Sequence, residues 1–184
     1  MDDIITSLER VSRLMRSAEY VAGLNPAQWE ALRYLNRCNR LSNSPMALAK
    51  FLGATKGTIS QTLTALSRKG LIERTMRKGN ARSIELAITD LGRERLASDP
   101  WNGLQETIDQ LPRKVRKRMA EGLAALRDAE IQRRRGQHFG VCRQCRFCSE
   151  ATSGDGDVAY RCLYVDVPIA PVEVDQLCME YVPR

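Results

Sequence analysis

The chain has 184 residues and a formal net charge of +7, and hydrophobic residues make up 43% of it. This length and apolar content suffice for one packed domain with an appendage, and they exclude a wholly disordered chain. The charge is unevenly spread, because residues 1–136 hold 25 Lys and Arg against 15 Asp and Glu, whereas residues 137–184 hold 4 against 7. The first part therefore favours a polyanionic partner, and the second part does not.

The sequence gives no sign of a membrane partner. It contains no apolar run of about 18 residues, and it begins Met-Asp-Asp, without the basic and then apolar pattern of a secretory signal. We therefore expect a cytoplasmic protein. In that compartment cysteines more often bind metals or act in redox chemistry than form structural disulfides.

Two amphipathic helices are predicted at the ends of the first part. Residues 2–22 carry a heptad-like apolar stripe, and the helix from Leu111 to about Arg135 carries a second one. Each stripe needs a partner helix, from this chain or from a second copy. The stripe residues are Ile4, Leu8, Val11, Met15 and Ala18 in the first helix, and Val115, Met119, Leu123 and Leu126 in the second.

The elements between them predict a helix-turn-helix. Asn25-Pro26 is typical of a helix start, and that helix is expected to reach about Arg40. A short helix from Ser44-Pro45, a turn at Gly53-Ala54 and another helix follow, which is the helix-turn-helix order. Cys38 lies on the apolar side of the first of these helices, which favours a small buried hydrophobic residue over a metal ligand.

The helix from Thr55 to Gly70 has the properties of a DNA-reading helix. Ile59, Leu63 and Leu66 form one apolar stripe, and the opposite face is polar with almost no acidic residues. Hydroxyl and amide groups can reach base edges or phosphates, and lysine attracts phosphates. The predicted major-groove residues are Thr55, Lys56, Thr58, Gln61 and Thr62.

A β-hairpin is predicted directly after this helix. Residues 71–77 form a plausible strand, residues 83–89 alternate strictly between apolar and polar, and the turn between them is basic. A cationic hairpin tip suits a minor groove or a phosphate backbone. The predicted wing residues are Arg74, Arg77, Lys78 and Arg82, and helices over 90–97 and 102–110 follow the hairpin.

Residues 2–135 resemble the MarR family of bacterial transcription regulators. The resemblance is carried by Thr58–Leu66, by Lys69-Gly70-Leu71-Ile72-Glu73-Arg74 and by Leu86-Ala87-Ile88-Thr89-Asp90-Leu91-Gly92. It implies a mainly α fold with a small β-hairpin wing, in which residues 1–136 form a winged helix-turn-helix domain for DNA binding and dimerisation. It further implies a homodimer joined through its first and last helices, on a pseudo-palindromic site in double-stranded DNA.

Residues 137–184 form a cysteine-rich tail with a different composition. Its cysteines follow the pattern Cys142-x2-Cys145-x2-Cys148-x13-Cys162-x15-Cys178, and such pairs can place two thiolates on one metal. The tail has too few apolar groups for a core of its own, so we predict a small metal-stapled domain. Two ligand sets are reasonable: Cys142, Cys145, Cys162 and Cys178, or the first three cysteines with one remote cysteine.

The tail also resembles the high-potential-type iron–sulfur modules found in small subunits of glycyl-radical enzymes. The matching residues are Cys142, Cys145, Phe147, Cys162, Cys178 and Tyr181. This resemblance implies the first ligand set and leaves Cys148 as a spare or alternative ligand. An iron–sulfur cluster, with four irons favoured, is thus the first expectation and structural zinc is the alternative, while His138 is expected to be a solvated linker residue.

Three functions are compatible with these features. The first is a transcription regulator that senses redox state, iron or a reactive small molecule through the cluster. The second is a regulator with a structural zinc tail and a separate small-molecule effector site, and the third is a redox-enzyme or electron-transfer subunit. With one histidine and no recognisable nucleophile, paired acids or glycine fingerprint, the chain is not expected to be an enzyme.

Overall fold

The computed structural model describes residues 3–77, 80–152 and 158–184. The first part of the chain is mainly helical and contains one β-hairpin. Its elements are α1 (Ile4–Ala18), α2 (Pro26–Arg37), α3 (Pro45–Leu52), α4 (Lys56–Arg68), β1 (Ile72–Arg77), β2 (Asn80–Ile88), α5 (Asp90–Leu96), α6 (Trp101–Gln110) and α7 (Arg113–Arg133). This order confirms the predicted winged helix-turn-helix.

Side-chain caps fix the starts of the helices that were predicted from capping residues. The Asn25 side chain accepts from the backbone N–H of Gln28, and the Ser44 hydroxyl does the same for Ala47. Thr55 caps α4 by accepting from the N–H of Thr58 at 3.2 Å. At the other end of α4, Gly70 takes a left-handed φ of 68°, which is the conformation that favours glycine after a helix.

The main core lies between α2, α3, α4 and the hairpin. Its largest fully buried apolar side chains are Trp29, Leu32, Tyr34, Leu48, Leu63, Leu66 and Leu86. Cys38 is also buried in this core, as predicted, and burial raises the pKa of its thiol to about 12. The thiol of Cys38 therefore stays protonated and behaves as a small hydrophobic group.

Helix α2 ends earlier than the sequence predicted. It stops at Arg37, and Cys38 is extended, because the backbone of Cys38 pairs with that of Leu177 in an isolated β-bridge. The backbone N–H of Asn39 donates to the carbonyl of Leu177 at 3.0 Å. A contact with the far end of the chain thus sets the end of α2. We call residues 38–43 the connector loop.

Helices α1, α6 and α7 carry apolar side chains that the rest of the chain leaves exposed. These side chains include Ile4, Val11, Leu14, Trp101, Val115, Met119, Leu123 and Leu126. They include members of both apolar stripes that the sequence predicted to need a partner helix. The helices that the structure describes include none with the length and apolarity needed to cross a membrane.

The tail folds into two small antiparallel sheets. Its strands are β3 (Gly140–Val141), β4 (Cys148–Thr152), β5 (Val158–Cys162), β6 (Val167–Ile169) and β7 (Leu177–Cys178). Strand β3 pairs with β7, and β4, β5 and β6 form a meander. The sequence placed a boundary at 136/137, and α7 ends just before it, but Phe139, Leu177 and Met179 of the tail pack into the main core. The tail therefore draws on the winged helix-turn-helix for part of its apolar core.

Candidate nucleic-acid interface and cysteine cluster

Helix α4 is held in place by its buried stripe. Ile59, Leu63 and Leu66 are each buried to at least 98% and face α2 and α3. At the C-terminal end, the ammonium group of Lys69 donates to the carbonyl of Gly23 and to Oε1 of Gln28. These contacts leave the opposite, polar face of the helix in solvent.

Four of the five predicted major-groove residues are exposed to solvent, on α4 or at its N-cap. They are Thr55, Lys56, Thr58 and Gln61. The fifth, Thr62, is buried, and its hydroxyl donates to the carbonyl of Thr58 at 3.0 Å. Because Thr62 lies three residues after Ile59 and four before Leu66, the helical spacing already placed it on the buried stripe.

Beside Gln61, the polar face of α4 presents Ser60, Thr64 and Arg68, which are not among the predicted major-groove residues. Ser60, Gln61, Thr64, Ala65 and Arg68 line a shallow groove of about 280 Å³ along α4. The hydroxyl of Thr64 donates to the carbonyl of Ser60 at 2.8 Å, so this part of the face is partly self-bonded. The four-residue spacing of Ser60, Thr64 and Arg68 was the signal that could have added them to the interface.

Two arginines in the described part of the wing hairpin differ in their surroundings, because Arg74 is exposed and Arg77 is ion-paired with Glu85. Strands β1 and β2 pair with Ile72 opposite Ile88, and Arg74 on β1 is exposed. Arg77 instead bonds within the protein: its Nε lies 2.8 Å from Oε1 of Glu85. The predicted wing residue Lys78 and the side chain of Arg82 lie outside the described part of the structure.

The connector loop contacts the wing at the turn end of β1 and in the middle of β2, and it joins these positions to α2 and α3. Nη2 of Arg77 donates to Oδ1 of Asn43 at 3.1 Å and to the carbonyl of Arg40 at 3.2 Å. The backbone N–H of Leu86 on β2 donates to the carbonyl of Asn43 at 2.8 Å. Arg77 is thus a positioning residue for the wing, and its guanidinium is less available to a phosphate than the sequence suggested.

The same loop also holds the tail. The backbone N–H of Met179 donates to the hydroxyl of Ser42 at 2.7 Å, and Nδ2 of Asn39 lies 3.7 Å from Sγ of Cys142. The guanidinium of Arg40 pairs with the carboxylate of Glu173, which is itself buried. One six-residue segment therefore contacts the wing on one side and the tail cysteines on the other.

Aromatic contacts add to this docking. Phe139, the residue directly before β3, packs edge-on against Phe51 of α3 with ring centroids 5.1 Å apart. It also contacts Tyr34 of α2, with centroids 6.2 Å apart. Since aromatic pairs of this geometry stabilise a fold beyond their buried area, the start of the tail is fixed on the helix-turn-helix.

The five tail cysteines come together around one small apolar cluster. Cys142, Cys162 and Cys178 are part of it, and Cys148 packs against it from the edge. Cys145 is buried nearby, where its backbone pairs with Pro183. All of these cysteines are present as free thiols.

Two of these thiols form a hydrogen-bonded pair. The thiol of Cys142 donates to Cys178, and this bond lowers the pKa of Cys178 to about 6. The pKa of Cys142 is raised, first by the same bond and then by burial, while burial raises the pKa of Cys148. The hydrogen bond from Cys142 therefore favours the thiolate form of Cys178, which is the form of cysteine that binds metals.

The tail cysteines supply the type of donor that a metal ion or an iron–sulfur group requires. Thiolates are the donors that iron–sulfur clusters and zinc share, and four of the five tail cysteines, Cys142, Cys148, Cys162 and Cys178, belong to or contact one apolar cluster. Within the described ranges 3–77, 80–152 and 158–184, no group of three or more His, Cys, Asp or Glu side chains is arranged to hold a metal ion. The donors therefore fit a metal or iron–sulfur group in kind, whereas the described side chains are not arranged as a formed metal site.

Comparisons with known proteins agree with the fold of the first part. Residues 24–84, which run from the start of the helix-turn-helix into β2, match the sequence model of the MarR family. A search of curated proteins finds no match.

Three solved structures show the same architecture. S. aureus MepR in complex with DNA has a TM-score of 0.60 and 21% identity, and the match covers 70% of this chain and 99% of that one. CouR from Rhodococcus jostii RHA1, bound to p-coumaroyl-CoA, has a TM-score of 0.57 and 21% identity, with 68% and 92% covered. Streptococcus pneumoniae FabT in complex with DNA has a TM-score of 0.55 and 20% identity, with 71% and 99% covered.

Proposed function

We propose that this MarR-type chain is a DNA-binding transcription regulator whose cysteine tail binds an iron–sulfur cluster and controls DNA binding. The observation that carries the proposal is the connector loop, residues 38–43. It holds the wing through Arg77 and Leu86 and holds the tail through Cys142 and Met179. A structural change at the tail cysteines could therefore reach the wing through the connector loop alone.

The reading surface supports double-stranded DNA as the partner. The exposed face of α4 presents hydroxyls, the amide of Gln61 and the cations Lys56 and Arg68, and the wing adds Arg74. The amide can bond to a base edge and the cations can contact phosphates. MepR and FabT, which share this fold, were crystallised in complex with DNA.

A homodimer would complete this surface. The exposed apolar faces of α1, α6 and α7 fit a second copy of the chain, because each is an amphipathic helix whose stripe the first copy leaves uncovered. Two copies would present two α4 helices to successive major grooves. A pseudo-palindromic operator with half-sites about one helical turn apart follows from that arrangement.

Alanine substitutions on α4 should separate base reading from phosphate attraction. On duplexes that the wild-type protein enriches from a random-sequence pool, Gln61→Ala should cost about 1–3 kcal/mol of binding free energy and relax the preferred sequence. Arg68→Ala should weaken binding on all sequences and reduce the slope of log K against log salt by about 1. Fluorescence anisotropy at several salt concentrations measures both effects.

The control removes the same charge from another helix. Arg116 on α7 pairs with Asp109 at 3.2 Å, and Arg116→Ala should leave the enriched sequence and the salt slope nearly unchanged. If no sequence is enriched, or if Arg116→Ala costs as much as Arg68→Ala, α4 is not the reading helix.

For the tail, the proposed ligands are Cys142, Cys145, Cys162 and Cys178, with Cys148 as the spare or alternative thiol. A four-iron cluster at these residues would supply reversible one-electron chemistry and sensitivity to oxidants. The buried position of the four thiols, at 4–9% exposure, supports a protected group of this kind. Structural zinc on the same thiols, with a small-molecule effector bound elsewhere, is the alternative.

Control of DNA binding would follow from docking. Ordering of the tail around its metal fixes Cys142, Leu177 and Met179, and these residues are bonded to Asn39 and Ser42 of the connector loop. Asn43 of the same loop holds Arg77 at the turn end of β1 and Leu86 in the middle of β2. Only a difference in DNA affinity between the metal-bound and metal-free forms makes this a switch.

Metal content and DNA affinity together test this part of the proposal. Protein purified without oxygen should contain about four iron and four sulfide per chain and lose its visible absorbance in air. Cys178→Ser should lose the iron, whereas Cys38→Ser should keep it, since Cys38 is buried in the main core and bonds to the carbonyl of Leu35. One zinc per chain without iron selects the alternative, and absence of both metals overturns the tail assignment.

The metal-bound and metal-free forms should then differ in DNA affinity by about 5- to 150-fold. Asn43→Ala removes the side-chain bond to Arg77 and should reduce that ratio, while the exposed Asn36→Ala on α2 should not. Equal affinities of the two wild-type forms would remove the regulatory role. Fast reversible redox behaviour with no DNA binding would favour an electron-transfer or redox-enzyme subunit instead.

A further inference from the structure

The fifth tail cysteine has a partner across a pair of strands. Strands β4 and β5 run antiparallel, and their register places Cys148 directly opposite Cys162. The backbone N–H of Leu163 donates to the carbonyl of Phe147 at 2.8 Å. This bond joins the residues that flank the two cysteines, so Cys148 and Cys162 form a non-hydrogen-bonded pair.

Such a pair has the geometry that a disulfide needs. Its Cα atoms are about 4.5 Å apart and its side chains project to the same face of the sheet. Disulfides span Cα separations of about 4.4–6.8 Å. The two thiols can therefore be joined within the β4–β5 ladder by adjusting side chains and with little movement of the strands.

Access also distinguishes this pair. Cys148 is half-buried at the edge of the cluster, whereas the other four tail cysteines are all buried. The other close pair, Cys142 and Cys178, is at 5% and 4% exposure and lies beneath the docked connector loop. A small oxidant in solution thus meets Cys148 first.

We propose that, in the metal-free protein, peroxide oxidises Cys148 and Cys162 to a cross-strand disulfide. The sulfur of Cys148 attacks one peroxide oxygen, the O–O bond breaks, and a sulfenic acid and water form. The sulfur of Cys162 then displaces the hydroxyl group from Cys148 and forms the S–S bond. Overall, two thiols and one hydrogen peroxide give one disulfide and two waters, with both electrons of the oxidation supplied by the thiols.

The disulfide would remove a proposed ligand from the metal site. Cys162 belongs to the ligand set, so the oxidised tail cannot rebuild that set until the bond is reduced. This consequence rests on the proposed function, whereas formation of the disulfide does not require that the metal be iron, zinc or any other. Cys148 thereby acquires a role that a spare ligand alone would not have.

Peptide mapping tests the proposal on the full chain. Metal-free protein, made with a chelator under reducing conditions, is freed of reductant, exposed to excess hydrogen peroxide, alkylated and digested without reduction. The expected product is one linked pair of peptides, containing Cys148 and Cys162, that dithiothreitol separates. Because burial raises the pKa of the Cys148 thiol and the thiolate is the reactive form, the reaction is followed over hours.

Serine variants make the test specific. Cys148→Ser should abolish the linked peptide, and Cys145→Ser, three residues away, should retain it. Linkage of Cys142 to Cys178 in place of this pair, or full alkylation of all six cysteines after peroxide, would overturn the proposal. Reconstitution of the reduced protein with ferrous iron and sulfide tests the proposed cluster separately from the disulfide. A reduced protein that binds no iron contradicts the proposed function, and the result of the peptide map still decides whether the disulfide forms.

Discussion

Replacing Arg33 with methionine should lower the free energy of unfolding by about 3–5 kcal/mol. Arg33 lies on α2 and bridges two acidic residues from other parts of the chain. Its Nη2 is 2.5 Å from Oε1 of Glu19, and its Nη1 is 3.0 Å from Oδ1 of Asp99. Both acids are buried, at 2% and 6% exposure.

The large effect follows from what the substitution leaves behind. Without the guanidinium, two carboxylates remain in the interior with one strong cation removed, and an uncompensated buried charge is costly. Nε1 of Trp101 still donates to Glu19 at 2.9 Å, but Asp99 loses both of its bonds to Arg33. The guanidinium also lies 5.0 Å from the centre of the Trp101 ring, and that contact is lost as well.

This network matters for function because of the elements it joins. Glu19 follows α1 and Trp101 starts α6, and both helices belong to the surface proposed to contact a second copy of the chain. Arg33 lies on α2, in the helix-turn-helix. Loss of Arg33 should therefore loosen the packing of α1 and α6 against the helix-turn-helix. We expect this change to lower DNA affinity as well as stability.

Urea denaturation, monitored by circular dichroism, measures the decrease in the free energy of unfolding. A substitution on the same helix provides the control. Arg37 is exposed, so Arg37→Met should change stability by less than about 0.5 kcal/mol. Equal losses for the two variants would show that the network contributes nothing beyond the helix itself.

Replacing Gly92 with alanine should destabilise the protein by at least about 1–3 kcal/mol. A Cβ at this position would lie 2.2 Å from the carbonyl oxygen of Leu71 and 2.7 Å from Cγ1 of Ile88. The first of these atoms belongs to the backbone and accepts the N–H of Thr89 at 3.1 Å, so it cannot move away without breaking that bond.

The position of Gly92 links this clash to DNA binding. Gly92 is in the first turn of α5, directly after β2, and it packs against Leu71, the residue that precedes β1. We expect Gly92→Ala to displace the base of the wing and to weaken DNA binding together with stability. Thermal unfolding and the DNA anisotropy assay measure the two effects.

Gly103→Ala is the matched control for this prediction. Gly103 is in α6, and a Cβ there would meet no atom within 4 Å. Alanine in an open helical position should leave stability unchanged or increase it by up to about 1 kcal/mol. A similar loss for both glycine variants would contradict the role of the Leu71 contact.

The sequence alone determined the local elements of the first part. Thr55, Ile59, Leu63 and Gly70 define α4 through capping, spacing and a left-handed closing residue, and each of these signals acts within a few residues. The alternation in β2 and the basic turn before it predicted the wing for the same reason. The cysteine spacing predicted a metal-ligand set, which stays a prediction, and Cys142, Cys162 and Cys178 share one small apolar cluster.

Tertiary structure decided how these parts meet, because the contacts join residues that are far apart in the chain. Asn39 contacts Cys142 over 103 positions, and Met179 contacts Ser42 over 137. No periodicity or spacing encodes such pairings, so the sequence could not show that Arg77 holds the wing or that α2 ends at Arg37. The facing of Cys148 and Cys162 also depends on strand register, which is set only when the tail folds.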